Sequence, residues 1–224
     1  MNGQYKWELH AHTRQSSKCG WMDAEDVVKE HIKAGYDGMV ITDHYNNANI
    51  ERFYGTPLEQ AQVWTGGWRA ARAAAEGTGL TVLFGLEARL QDSDNDYLIF
   101  GVEPRFVLEN PQLNFLTLKE LHALCHAHGA VMIQAHPNRK GCSPAPWQDV
   151  DGYEVLNGNL RHDNHNDLTE AIAHAHPELI YTAGSDYHRV EDVGTAPVYT
   201  DRQIRTGRDL VRGLREGAFH WDTL

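Results

Sequence analysis

Short apolar runs alternate with stretches of helical periodicity along most of the chain. Tyr5–Leu9, Met39–Ile41, Leu80–Leu86, Tyr97–Val102, Ala130–Ala135, Tyr153–Leu156 and Leu179–Ala183 read as strands. Between the first two, Asp23 caps a helix over Ala24–Ala34, with Ala24, Val27, Val28 and His31 on one face and Gly35 as a stop. A long helical pattern covers Leu58–Glu76, with the Gly66-Gly67 pair as its break, and further helices are expected over Thr117–His128, Asn166–Ala175 and Thr206–Glu216. Strands alternating with helices predict one α/β domain spanning residues 1–224. The strands are near-continuous apolar runs, as expected of a mostly parallel sheet covered on both faces, and a barrel-like closure is compatible with that pattern.

Polar residues follow these runs in a pattern. His10 and His12 end the first strand, Asp43 and His44 the second, Glu87 the third, His136 the run Val131–Ala135, and Asp186 and His188 the run closing at Ser185. The carboxyl ends of parallel barrel strands converge on one mouth, where active sites are built. Residues two apart on a strand share a face, so His10 with His12, and Asp186 with His188, can meet one ion. Imidazole and carboxylate suit zinc, manganese or iron, and a carboxylate such as Glu87 can bridge two ions that activate water.

Composition narrows the partners. Twenty basic against 31 acidic residues give a net charge of −11, which argues against a chain built to grip a nucleic-acid backbone. Bound ions would reverse that sign locally, so a small phosphorylated substrate stays in play. Arg139 is the first choice for its phosphate, followed by Arg14, Lys18 and Arg189, each close in sequence to a proposed ligand. Cys19, Cys125 and Cys142 show no paired spacing, an odd number that favours a reducing compartment. The segment Met1–Glu8 lacks the apolar core of a signal peptide and no run is long enough to cross a bilayer, so a cytoplasmic location is expected.

The blocks Glu8-Leu9-His10-Ala11-His12-Thr13, Ile41-Thr42-Asp43-His44, Gly85-Leu86-Glu87, Ala135-His136-Pro137 and Gly184-Ser185-Asp186-Tyr187-His188 occur in one order. Together they resemble the polymerase and histidinol phosphatase (PHP) family of metal-dependent phosphoesterases, and Thr195–Ala218 resembles its closing strand and helix. The resemblance implies a distorted seven-stranded, TIM-like (β/α) barrel holding two divalent ions, with a third in trinuclear members. It assigns His10, His12, Glu87 and Asp186 to a first ion, Glu87 and His136 to a second, and His44 and His188 to the third. Without a third ion, His188 or His44 would serve as general acid, with Asp43 a further catalytic candidate, while a hydroxide between the ions attacks phosphorus. Two departures stand out. Lys18, beside Cys19, stands six residues after His12, where trinuclear members carry a histidine, and Asp96–Gly101 lacks the histidine that many members place there. A barrel amidohydrolase or lactonase acting on a carbonyl, or a degenerate metal-binding domain without activity, is the alternative.

Other polar groups have plainer readings. His122 and His126 lie one helical turn apart on a solvated face, and His174 and His176 sit near a helix end, where they favour its dipole. Asn157 and Asn159 either face the pocket or form a turn with Gly158, and His162 or His165 could reach the site from a loop.

Overall fold

A computed structural model describes residues 4–222, so Met1–Gly3 of the amino-terminal segment lie outside the described residues. Among the described residues there are nine strands: β1 (Tyr5–Ala11), β2 (Gly38–Ile41), β3 (His44–Tyr45), β4 (Thr81–Arg89), β5 (Asp96–Phe100), β6 (Val131–Gln134), β7 (Gly152–Asn157), β8 (Ile180–Gly184) and β9 (Val198–Thr200). The helices are α1 (Ala24–Lys33), α2 (Asn47–Ile50), α3 (Pro57–Trp64), α4 (Gly66–Ala75), α5 (Arg105–Glu109), α6 (Leu118–Ala127), α7 (Asn166–Ala175) and α8 (Gly207–Arg215).

The strands follow the order β8-β7-β6-β5-β4-β2-β1-β9, with β3 paired to β4. The ring nearly closes where Ala11, at the end of β1, bridges Tyr187 beyond β8 through His12 N→Tyr187 O and Tyr187 N→His10 O, both 3.0 Å. The expected barrel is thus present, with β9 added antiparallel outside the closure beside β1. The sheet is less parallel than the alternation predicted, because β5 runs antiparallel to both β4 and β6. Only Leu90–Asn95 separates β4 from β5, too short for a helical crossover, so the chain must turn back on itself.

Inside the barrel, Trp7, Leu9, Val40, Leu83, Leu98 and Ile133 form one apolar cluster, which Leu210 and Leu214 of α8 complete from one end. A second cluster, including Met39, Ile41, Trp64, Trp68 and Phe84, binds the outer face of the sheet to the helices. The helical pattern of Leu58–Glu76 divides at Thr65 into α3 and α4. Gly67 has a different task from breaking the helix: a Cβ there would overlap Thr13 Oγ1, Ser16 Oγ and Asp43 Oδ2, so α4 lies directly against the loop after β1.

Two bulges aim the site. The β1–β2 register slips between Glu8 and Ala11, one extra residue in β1, so both Leu9 and His10 face the interior. The Glu8 carboxylate, fully buried, fills the gap: its Oε1 accepts from His10 N (2.9 Å) and Ser185 N (3.0 Å), and its Oε2 from Ser185 Oγ (2.6 Å). A matching slip between Glu154 and Leu156 lies in β7.

Candidate metal centre

The predicted ligands meet at the mouth of the barrel. Glu87 stands among four imidazoles: its Oε1 lies 3.3 Å from His10 Nε2 and 3.1 Å from His136 Nε2, and its Oε2 lies 3.3 Å from His12 Nε2 and 2.8 Å from His44 Nδ1. Asp186 Oδ1 lies 3.5 Å from His10 Nε2 and 3.3 Å from His12 Nε2. Buried polar atoms are normally paired, yet His10 Nε2, His12 Nε2, His44 Nδ1 and Glu87 Oε2 lack a hydrogen-bond partner of good geometry. Nitrogen and oxygen atoms pointed at one space suit divalent cations. Ligand atoms within 4.8 Å of one another define the groups His10–His12–Asp186, His10–Glu87–His136 and His12–His44–His188. The donor set fits divalent metal ions.

Supporting contacts fix these ligands. His10 Nδ1 donates to Glu154 Oε1 (2.8 Å), leaving Nε2 free for a metal, and Glu154 Oε2 accepts from the His136 backbone (3.0 Å) and Asn157 Nδ2 (2.8 Å). His136 and Asp186 have φ of 30° and 51°, conformations that cost energy and are held by such contacts. Burial opposes charge on His10, yet Glu154, Glu87 and Asp186 hold its pKa well above the usual imidazole value. For His12, burial together with His188 and His44 pushes the pKa well below it, the state a ligand needs. His10, His44 and other imidazoles hold Glu87 well below the usual carboxylate range against burial, and His10 with His12 does the same for Asp186.

Other expected residues take different places. Asp43 is 2% exposed and accepts from Thr13 N (2.6 Å), Thr13 Oγ1 (2.7 Å) and Ser17 Oγ (2.7 Å), so it holds the loop after β1 rather than facing the cleft. Burial raises its carboxyl to about 6 despite these bonds. An open cleft of about 490 Å³ above the ligands is lined by Arg139, Arg161, Arg189, His162, Trp21 and Cys19, among others. Arg14 and Lys18 are absent from its lining: Asp23 holds the Arg14 guanidinium at 2.9 and 2.5 Å, and the Lys18 backbone is tied to Asn49 while its side chain faces solvent. Arg189 stacks on Trp21, its Cζ 3.9 Å from the ring centre. His162 reaches the cleft, whereas His165 pairs with Asp163 outside it.

Arg139 does more than line the wall. Its Nε donates to Asn164 Oδ1 (2.8 Å), and its Nη2 to Asn157 Oδ1 (3.0 Å) and Asp186 Oδ2 (2.6 Å). Asn157 and Asn159 are buried and belong to this network.

Four functional residues escaped the sequence reading. Glu154 could have been flagged as a charge inside an apolar strand, and Glu8 likewise. Asp96 opens β5 with its Oδ2 3.9 Å from His136 Nε2, its carboxylate forked by Arg89 at 2.8 and 2.5 Å. Cys19 Sγ lies 3.1 Å from His188 Nε2. Burial works against a charged thiol, yet hydrogen bonds with His188 and His44 pull it down to about 6. Cys19 and Asp96 thus stand near the two places where the expected histidines are missing.

The PHP domain profile matches residues 8–190 and the PHP-associated profile residues 163–219. The chain belongs to the PHP domain family. Its donor set at the barrel mouth is one that can hold divalent metal. Part of this PHP chain is 28% identical over 115 residues to the PolC-type DNA polymerase III of Streptococcus sanguinis strain SK36, a match covering 45% of the chain and 7% of the polymerase. A crystallised two-domain protein from Bacteroides vulgatus, described as containing a predicted PHP-like metal-dependent phosphoesterase, superposes with a TM-score of 0.73 at 15% identity, over 98% of this chain and 65% of that one. The lesion-specific endonuclease EndoQ from Pyrococcus furiosus gives 0.68 at 12% identity, over 98% of this chain and 58% of the endonuclease. The chain therefore spans under two thirds of each of these proteins, and the structural likenesses establish the fold. Among the described residues, no helix is long and apolar enough to cross a membrane.

Proposed function

We propose that residues 1–224 form one PHP-type unit that hydrolyses small phosphomonoesters with two divalent ions, drawn from zinc, manganese or iron. The observation that carries this reading is the Glu87 carboxylate, each of whose oxygens faces two imidazoles, which is the arrangement of a bridging ligand. His10, His12, Glu87 and Asp186 would hold one ion, and Glu87, His136 and Asp96 the other. When bound, the ions supply an activated water and neutralise charge on the phosphoryl group.

The chain's own residues do the rest. His44 Nδ1 stands 2.8 Å from Glu87 Oε2, where an imidazolium favours the charged carboxylate. Arg139 keeps Asp186 aimed inward and turns its free edge to the cleft, where a guanidinium can meet a phosphoryl oxygen. Arg189, spread on Trp21 at the rim, is a second cation for the substrate, with Trp21 offering an apolar face to its organic part. His188 gives a proton to the leaving oxygen. Its Nδ1 is fixed on the Asp186 carbonyl (2.7 Å), its Nε2 is shared with Cys19, and the Cys19 contact and Asp186 raise its pKa against burial. A cleft of about 490 Å³ accommodates a small ester, the net charge of −11 disfavours a polynucleotide, and three free cysteines suit the cytoplasm.

The test is hydrolysis of an aryl phosphate with added Mn²⁺ or Zn²⁺, alongside elemental analysis of protein purified without chelator. Turnover with about two ions per chain, lost in His10→Ala and Glu87→Ala, is expected. Absence of turnover with every metal overturns the catalytic reading. Cleavage of phosphodiesters or lactones in preference to phosphomonoesters overturns the substrate class.

A further inference from the structure

A second group of metal-binding side chains lies at the other end of the barrel, where strands begin. His122 and His126 occupy successive turns of α6, their ring centres 4.2 Å apart, and both Nε2 atoms face one oxygen, Asp151 Oδ1, at 3.5 and 2.8 Å. The solvated face expected from the sequence is therefore occupied by a carboxylate that arrives from the segment just before β7.

That carboxylate is held rigidly. Asp151 Oδ2 accepts from Met132 N (2.8 Å), Asp151 N donates to Met132 O (2.9 Å), and Asp151 O accepts from Ile180 N (2.9 Å). These bonds pin Asp151 across the starts of β6, β7 and β8, so only its Oδ1 is left to face the histidines. Against the pull of burial, the histidines and Met132 N keep its carboxyl below the usual carboxylate range. His122 is largely covered, its side chain 17% exposed, and its Nε2 has no hydrogen-bond partner of good geometry. His126 is 49% exposed, so the remaining side of the group opens to solvent.

We propose that His122, His126 and Asp151 form a separate site for a zinc-like divalent cation, a clip that ties α6 to the base of the barrel. Two imidazoles one turn apart plus a carboxylate supply three of four tetrahedral positions, and water takes the fourth. The nitrogen donors favour zinc, cobalt or nickel over magnesium or calcium. Because the donors come from α6 and from the β6–β7 connection, a bound ion links two parts of the chain and stabilises the fold. The hydrolytic centre is not involved, so the clip stands or falls independently of the activity proposed above.

Zinc alone is the probe. The full-length wild type, His126→Gln and His122→Asn are dialysed against Zn²⁺ and their bound metal counted by elemental mass spectrometry. The clip requires each variant to hold about one ion fewer than wild type, while hydrolytic activity is unchanged. Saturating Zn²⁺ at about a hundred times the dissociation constant of the clip should also raise the melting temperature of wild type about 5–10 °C more than that of either variant. His10→Ala, which disturbs the other centre, should keep this difference. Equal metal counts and equal melting shifts in wild type and both variants overturn the proposal.

Discussion

Replacing Glu154 by glutamine alters one atom of a buried carboxylate, and its consequence can be worked out bond by bond. Three donors converge on this group: His10 Nδ1–H on Oε1, and the His136 N–H and Asn157 Nδ2–H on Oε2. Asn157 cannot turn its amide around to help, because its Oδ1 already accepts from Arg139 Nη2, Asn159 N and Asn164 Nδ2. A glutamine has one acceptor oxygen and must present an NH₂ to one side. With the NH₂ toward His136 and Asn157, two buried donors lose their acceptor. With it toward His10, the imidazole must accept at Nδ1 and carry its proton on Nε2, the atom that faces Glu87 and Asp186. Either arrangement costs about 1–3 kcal/mol. For a chain of this size that lowers the melting temperature by roughly 2–12 °C. The second arrangement also blocks a ligand, and loss of such support weakens metal affinity by about 10–100-fold, or about 1.4–2.8 kcal/mol. Zinc affinity measured by chelator competition, with thermal unfolding of the metal-free protein, reads both effects. A glutamine variant with wild-type zinc affinity and stability would refute the assignment of Glu154 as the residue that sets the His10 tautomer.

Further outcomes follow from other contacts. Cys19, held down to about 6 by its two histidines, should react with iodoacetamide in the metal-free protein along a curve that rises through pH 6 and is flat by pH 8, whereas an ordinary thiol would still be rising there. Peptide mapping checks the site, with Cys19→Ser as control, and Cys125, buried and pushed upward, should stay unlabelled. Gly67→Ala drives a methyl group into the Thr13, Ser16 and Asp43 side chains, so about 1–3 kcal/mol of stability should be lost in urea unfolding. Arg139→Lys cannot reproduce the fork that joins Asn157, Asn164 and Asp186, and kcat/KM for an aryl phosphate should fall about 10–100-fold. Unchanged kinetics in that variant would remove Arg139 from both substrate and ligand positioning.

Much of the centre was legible because it is written locally. His10 and His12, Glu87, His136, and Asp186 with His188 each follow an apolar run, and a strand that ends at a barrel mouth must deliver the next polar side chains there. The same logic misplaced Arg14 and Lys18. Sequence proximity to a ligand does not fix where a long side chain goes, and Asp23 and solvent claimed these two. Asp43 was read as catalytic from its place beside His44, yet its neighbours across the loop made it an anchor.

By itself, then, the sequence determined the alternation of strands and helices, the barrel, the metal-binding residue types and the family. Those depend on side-chain period and on short spacings, which the chain carries wherever it goes. Only the tertiary structure decided the reversal of β5, the bulge that turns His10 inward, the meeting of His10 with Glu154 across 144 positions, and the seating of Asp151 between His122 and His126. These depend on which strands become neighbours when the ring closes, and periodicity carries no information about a partner far along the chain.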